Sequence, residues 1–357
     1  MKVSTVLVIV FFLFALIAGI GATSYYYTQS VDVIEEEVYD HLKTAVHSRA
    51  HHVETFLEEQ KEKILMAADM DFPEESMKKE ALKFSGQELD NVVEELEEIL
   101  EINDDFEDIL ILNLPGDIVA STNPEHIGKR NFEDVEFLIN RTGAHITEIH
   151  YSDILKKLVI EFSANMIDDD TKEIVGVVVA VMALDELAEI TTREDGLGET
   201  GEVYLIDKEG RMITPSRFLE NEILVQKVDT INSRNCLEGV SRHLGLHEEE
   251  QEHAHEEEEH EEEEHEEEEH IGHEAVEVFL DYRGEKVLGT HLYIPEVNWC
   301  LLAEMDEAEI LGKQRELFQK VALTIIIVLT VFAILSGFII GRQIDKVVVF
   351  KKFEKKL

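Results

Sequence analysis

Cysteine occurs only twice in 357 residues, at Cys236 and Cys300. Two thiols exclude a disulfide-dense scaffold and a four-cysteine zinc site, and leave open a single bridge or two free thiols. Basic residues are scarce: 32 Lys and Arg stand against 78 Asp and Glu, a formal charge of −46. A phosphate backbone would be repelled by that balance, which excludes nucleic acid as a partner class. The chain also lacks GxSxG, P-loop and HExxH spacings. With them go the nucleophile, phosphate-cradle and zincin arrangements those spacings serve. Neither an enzymatic activity nor a required cofactor is expected.

Charge of either sign is missing from two stretches. None occurs between Lys2 and Asp32, and none between Lys320 and Arg342. A membrane helix needs about 20 apolar residues, so both stretches qualify, as spans 6–28 and 321–341. The first also has small residues, Ala18 to Thr23, that a signal peptidase accepts. Its apolar run is longer than the roughly 7–15 residues of a signal h-region, which favours an uncleaved anchor. The tail 342–357 carries Arg342, Lys346, Lys351, Lys352, Lys355 and Lys356 against Asp345 and Glu354. The positive-inside rule puts that tail, and with two spans also residues 1–5, in the cytoplasm. Residues 29–320 then face the outside of a plasma membrane and hold 76 acidic and 25 basic residues.

The periodicity between the spans changes along the chain. Val31, Ile34, Val38, Leu42, Val46, Ala50, Val53, Leu57 and Ile64 recur every three to four residues, which predicts one long helix over 29–66. Ser85-Gly86-Gln87-Glu88 is a capping box opening a second helix with Leu89, Val92, Val93, Leu96, Ile99 and Leu100 inward. From residue 103 the period is two. Strands are predicted at Phe106–Asn113, Ile118–Ser121, Lys157–Met166 and Ile174–Met182. A short helix carrying Phe132, Val135, Phe137 and Leu138 interrupts them. Asp168-Asp169-Asp170 lacks the spacing of a calcium loop and reads as a solvated turn. A second set follows: Glu202–Asp207, Arg211–Thr214, Ala275–Tyr282, Glu285–Tyr293 and Trp299–Glu304. Asp306 caps a connecting helix, 306–320, that runs into the second apolar stretch. The expected fold is α+β: two tandem modules with antiparallel sheets, 103–192 and 193–305, framed by the helices of 29–102 and by both spans.

This order resembles the double-Cache extracytoplasmic sensor domains of prokaryotic chemoreceptors and sensor kinases. The residues that carry the resemblance are Asp108–Ser121 with Ile127-Gly128-Lys129, then Ile174-Val175-Gly176-Val177-Val178. Gly198-Glu199-Thr200-Gly201-Glu202-Val203-Tyr204-Leu205-Ile206-Asp207 with Gly210 follows, and Tyr282-Arg283-Gly284 through Ile294-Pro295-Glu296-Val297-Asn298-Trp299 closes it. The resemblance implies that both modules, 103–192 and 193–305, are PAS-like and that the chain is a small-molecule receptor whose ligand binds the membrane-distal module. It also implies a homodimer and a signal relayed through the second span. Arg130, Phe132, Phe137, Tyr151, Asp153, Phe162 and Asn165 are the ligand-binding candidates. The Arg-x-Trp-Tyr element of the amino-acid-binding branch is incomplete here, since Arg130-Asn131-Phe132-Glu133 stands in its place. Gly341-Arg342-Gln343-Ile344-Asp345-Lys346 resembles the start of a HAMP linker. No kinase or methyl-accepting segment follows it in the chain, so the output is expected from a separate or missing partner.

Residues 247–270 stand apart. They comprise 16 Glu, 6 His, one Gln and one Ala, with HEEEE repeated from His255 to His270. A run of one charge buries nothing and is expected to be solvated. Imidazoles among carboxylates suggest Zn²⁺, Ni²⁺ or Cu²⁺ at His255, His260, His265 and His270. The five-residue interval turns successive His by about 140° on a helix, so they share no face. That favours a tolerated expansion over a built metal site. A surface metal-binding protein is the alternative function.

Overall fold

A computed structural model describes residues 3–70, 82–102, 105–129, 143–168, 170–193, 196–220, 223–243 and 278–354. The first helix, α1 (Val3–Ala68), runs unbroken for 66 residues, about 100 Å. Leu42, Val46, Ala50, Val53, Leu57 and Ile64 are fully buried along it, as their spacing predicts. This stripe is the spine of the main core. Helix α2 (Gln87–Ile102) buries Val92 and Leu96.

Two antiparallel sheets follow. The first contains β1 (Phe106–Asn113), β2 (Ile118–Ser121), β3 (Ala144–Ile146), β4 (His150–Ser152), β5 (Lys157–Ile167) and β6 (Ile174–Ala183). Its order is β2-β1-β6-β5-β3, with β4 also pairing β5. Helix α3 (Asp185–Thr192) leads to the second sheet. This contains β7 (Glu202–Ile206), β8 (Val278–Leu280), β9 (Lys286–Ile294) and β10 (Trp299–Asp306), in the order β7-β10-β9-β8. Helix α4 (Ile231–His243) packs on it, and Cys236 of α4 is disulfide-bonded to Cys300 of β10, Cα to Cα 6.1 Å. The two thiols thus form the bridge that the sequence left open.

Three turns use one chemistry. Asn113, Asp207 and Asp281 each place a side-chain oxygen on a backbone N–H four residues on, at 2.8, 2.8 and 3.0 Å. Each is followed at the third position by a glycine with positive φ: Gly116, Gly210 and Gly284. The side chain closes the turn, and glycine accepts a left-handed backbone without Cβ strain. The expected strand Arg211–Thr214 differs in the structure. It makes only isolated bridges, Ile206↔Met212 and Arg211↔Lys227. Strands β3 and β4 are additions that three residues of pattern do not announce.

Helix α5 (Glu307–Glu354) starts directly after β10. It lies along α1: Tyr27 and Phe318 rings meet at 4.6 Å, and Gln314 Nε2 donates to Ser30 Oγ at 2.7 Å. Gly19 admits Ile325, whose Cγ2 lies 3.4 Å from where a Cβ would be. Both helices are long and apolar enough to cross a membrane. The sequence-predicted helix with Phe132 and Phe137, and the tract 247–270, lie outside the described residues.

Candidate functional site

Strand β5 divides the candidate residues between two faces. Ile160, Phe162, Ala164 and Met166 point into the core shared with α1, where Phe162 meets Phe106 at 6.4 Å between ring centroids. Val159, Glu161, Ser163 and Asn165 leave the opposite face, because side chains alternate along a strand. That face is walled by Val177, Val179 and Val181 of β6. Glu161 and Ser163 are buried there, and Asn165 is half-buried. Cross-strand pairing sets His145 beside Ser163 and His150 beside Val159. His150 Nδ1 faces the Glu148 carbonyl at 3.0 Å, so that nitrogen carries the proton. Its Nε2 is thereby turned toward Glu161, 3.7 Å from Oε1. The result is a valine floor carrying one carboxylate, one hydroxyl, one amide and two imidazoles. Such a mixture suits a small polar ligand.

Of the residues singled out in the sequence, Asn165 stands on this face and Phe162 on the other. Tyr151 is exposed on β4, and Asp153 is exposed in the turn after it, 3.6 Å from Lys156. Arg130, Phe132 and Phe137 lie outside the described residues, as do His255, His260, His265 and His270. Among the described residues no three His, Cys, Asp or Glu side chains converge as metal ligands. Glu161, Ser163, His145 and His150 went unremarked in the sequence. The signal for two of them was present: in KLVIEFSANM the polar residues fall on the odd positions 161, 163 and 165.

At the edge of this face a cleft of about 630 Å³ separates β3 from the turn joining β9 and β10. His145, Glu148, Lys208, Glu296, Asn298 and Trp299 line it. Two ion pairs bracket it, Lys208 with Glu148 and Lys61 with Glu296. At the other edge of the sheet Asp108 is buried and accepts hydrogen bonds from Ser121 Oγ (2.9 Å) and Thr122 Oγ1 (2.5 Å), with His126 Nδ1 at 2.6 Å. Ser121 bonds the carboxylate and not the imidazole, so the trio closes a corner of the fold and does not set a base against a nucleophile.

The loop before β7, Gly196-Leu197-Gly198-Glu199-Thr200-Gly201, has the glycine spacing of a dinucleotide fingerprint. The context is absent, because a strand follows it and no helix opens from it. The N–H groups of Glu199 and Thr200 are taken by the Glu309 carboxylate, an acid of the chain itself, and that of Gly201 by the Leu197 carbonyl.

The comparisons agree with this architecture. The Cache domain family model matches residues 29–314. The ligand-binding domain of the Campylobacter jejuni chemoreceptor Tlp3, crystallised with 4-methylisoleucine, is similar in fold with a TM-score of 0.52 at 12% identity. That match covers 78% of this chain and 94% of the other. The sensor domain of the Vibrio cholerae histidine kinase DctB matches with a TM-score of 0.52 at 11% identity, over 76% of this chain and 98% of the other. No curated protein sequence matches the chain. A family match over residues 29–314, most of the length, means that this chain belongs to the Cache-domain family.

Proposed function

We propose that the chain is a membrane-anchored, extracytoplasmic small-molecule receptor whose ligand binds the outer face of the first sheet. The observation that carries this reading is the Cache match over 29–314, flanked on both sides by helices apolar enough to span a bilayer. The polar face of β5 offers the ligand Glu161, Ser163 and Asn165; Arg130, Phe132, Phe137, Tyr151 and Asp153 are further candidates from the sequence. Both termini are cytoplasmic, and residues 29–320 lie outside. Two copies pair along α1. The ligand biases α5 between two positions by its differential affinity for them, and a separate kinase or chemoreceptor partner reads the result.

The test is a thermal-shift screen of the full chain in detergent against amino acids, amines, organic acids and purines. A ligand at 100 times its Kd stabilises the native state by about 2.7 kcal/mol. One class should raise the melting midpoint, and Asn165→Ala together with Glu161→Gln should abolish the rise. A screen in which no class does so removes the sensory reading. Protease added to intact cells tests the topology: it should digest residues 29–320 and leave the basic tail intact.

A further inference from the structure

The second sheet holds two adjoining carboxylates that, among the described residues, share no cation. Glu202 of β7 and Glu304 of β10 are direct cross-strand partners, so both side chains leave the same face. They are 4% and 1% exposed. Among the described residues, Glu304 meets only neutral donors: Tyr204 Oη at 3.0 Å from β7, and Asn232 Nδ2 at 3.1 Å from α4. Asn232 Oδ1 in turn faces His291 Nδ1 of β9 at 2.8 Å. Glu202 accepts from Tyr282 Oη at 2.5 Å, and from Ser216 Oγ and Arg217 N at 3.1 Å each. The cation on this side, Arg283, binds Asp281 and Asp306, both at 2.6 Å. On β9, Gly289 makes the room: a Cβ there would come within 2.9 Å of Glu304 Cγ.

We infer that Glu304, paired with Glu202, is a proton-binding site, a second input to the chain that β10 passes to α5. Two features support it beyond the contacts. Burial first, then the Glu202 and Asp281 charges, push the Glu304 carboxyl up to about 7 against the hydrogen bonds of Asn232 and Tyr204. Glu202 is also raised, burial being the main cause. The site is also close to the output: β10 ends at Asp306 and α5 begins at Glu307. The step is a single proton transfer from solvent to a Glu304 oxygen. With Glu304 ionised, Tyr204 and Asn232 both aim donors at it. Once it is protonated, its new O–H needs an acceptor, and Tyr204 Oη is the neighbour able to reverse its role. The hydrogen bond between β7 and β10 then changes direction three residues before the helix.

Infrared difference spectroscopy of the detergent-solubilised full chain, titrated from about pH 5 to 8.5, reads the protonated carboxyl directly. The expected result is a carboxyl band lost with a midpoint near 7. Glu304→Gln should delete it, and Glu202→Gln should lower its midpoint by removing a like charge. Trp299, the one tryptophan of the sequence, lies on β10, and its emission should change with the same midpoint. The inference is overturned by the absence of a titrating carboxyl between about pH 6 and 8, by a titration that survives Glu304→Gln, or by a Trp299 signal that ignores it. Should Glu304→Gln fail to fold, Tyr204→Phe serves instead: it removes a donor to the charged form and should raise the midpoint, and an unmoved midpoint overturns the assignment.

Discussion

Glu309, on the first turn of α5, accepts hydrogen bonds from the backbone N–H groups of Glu199 (2.9 Å) and Thr200 (2.7 Å), and from Thr200 Oγ1 (2.5 Å). The helix that leaves the second sheet is thereby tied to the loop that enters it. Gly198 is held with φ +67°, and a Cβ there would collide with the same carboxylate. Arg217 Nη1 clamps the other side of the loop through the carbonyls of Gly198 (3.2 Å) and Gly201 (2.8 Å). Burial would raise the Glu309 carboxyl, but the bonds from Thr200 and Glu199 outweigh it and hold the group below its ordinary value.

Removing this tie should loosen α5 from the sheet. Glu309→Ala is expected to cost about 1–2 kcal/mol, the range for charge-assisted bonds at a half-exposed site. Glu309→Gln should recover part of that, since its one carbonyl oxygen still accepts. Denaturant midpoints would measure both, and an unchanged midpoint for Glu309→Ala would show that the tie is energetically idle.

The Cys236–Cys300 bridge spans a sequence separation of 64 and so encloses the whole His/Glu tract. It holds α4 on β10 whatever the intervening residues do. By the loop-entropy relation a closed loop of that size is worth about 4 kcal/mol, an upper figure because the relation ignores native strain. Cys236→Ser with Cys300→Ser, or reduction by dithiothreitol, should lower the melting midpoint. Deleting 247–270 in the oxidised protein should leave it nearly unchanged, since the bridge keeps both ends of the excursion in place. Equal loss in the two experiments would contradict this account.

Asp108 is a sharper structural test. It is 1% exposed and serves Ser121, Thr122 and His126 together. Asp108→Ala strands several buried polar groups and should cost about 3 kcal/mol or more. Ser121→Ala removes one donor and leaves the others satisfied, so about 1 kcal/mol is expected. Urea unfolding distinguishes the two. Comparable costs would mean that the corner is not a connected network.

The long elements were legible because they bury one face over many residues. Leu42 to Ile64 fixes the inward face of α1, and KLVIEFSANM fixes the register of β5. Charge-free runs in a chain of this acidity left no doubt about the two apolar helices. What stayed hidden depended on partners distant in sequence. Strands β3 and β4 are three residues each, and their pairing with β5 is tertiary. Arg211–Thr214 alternates like a strand, but its hydrogen bonds go singly to Asp207 and Leu205 on one side and Gln226 on the other, so only isolated bridges form. Phe162 and Asn165 stand together among the ligand-binding candidates, whereas an odd separation on a strand sends them to opposite faces. Glu304 looks like any surface acid in LLAEMDE until Glu202, Tyr204 and Asn232 converge on it from β7 and α4.

The last prediction concerns the pH dependence of stability, where two acids act in opposite senses. Glu304 is raised in the folded state from 4.5 to about 7, so between those values the folded chain binds more protons than the unfolded one. Stability therefore falls as pH rises through that window, by an amount on the order of 3 kcal/mol when the shift is converted at 1.36 kcal/mol per unit. Glu309 is lowered, so its contribution is complete above the unfolded value of 4.5 and is lost as pH falls through the folded one. The melting midpoint should accordingly peak on the acid side of neutrality and decline on both flanks. Glu304→Gln should flatten the upper flank alone, and Glu309→Gln the lower flank alone. Net repulsion among the surface acids also grows with pH, but it is common to both variants and leaves that contrast intact. Midpoints recorded at matched ionic strength across the range decide the matter: a wild-type curve that climbs steadily from acid to neutral pH and beyond would show that Glu304 carries no buried-charge penalty.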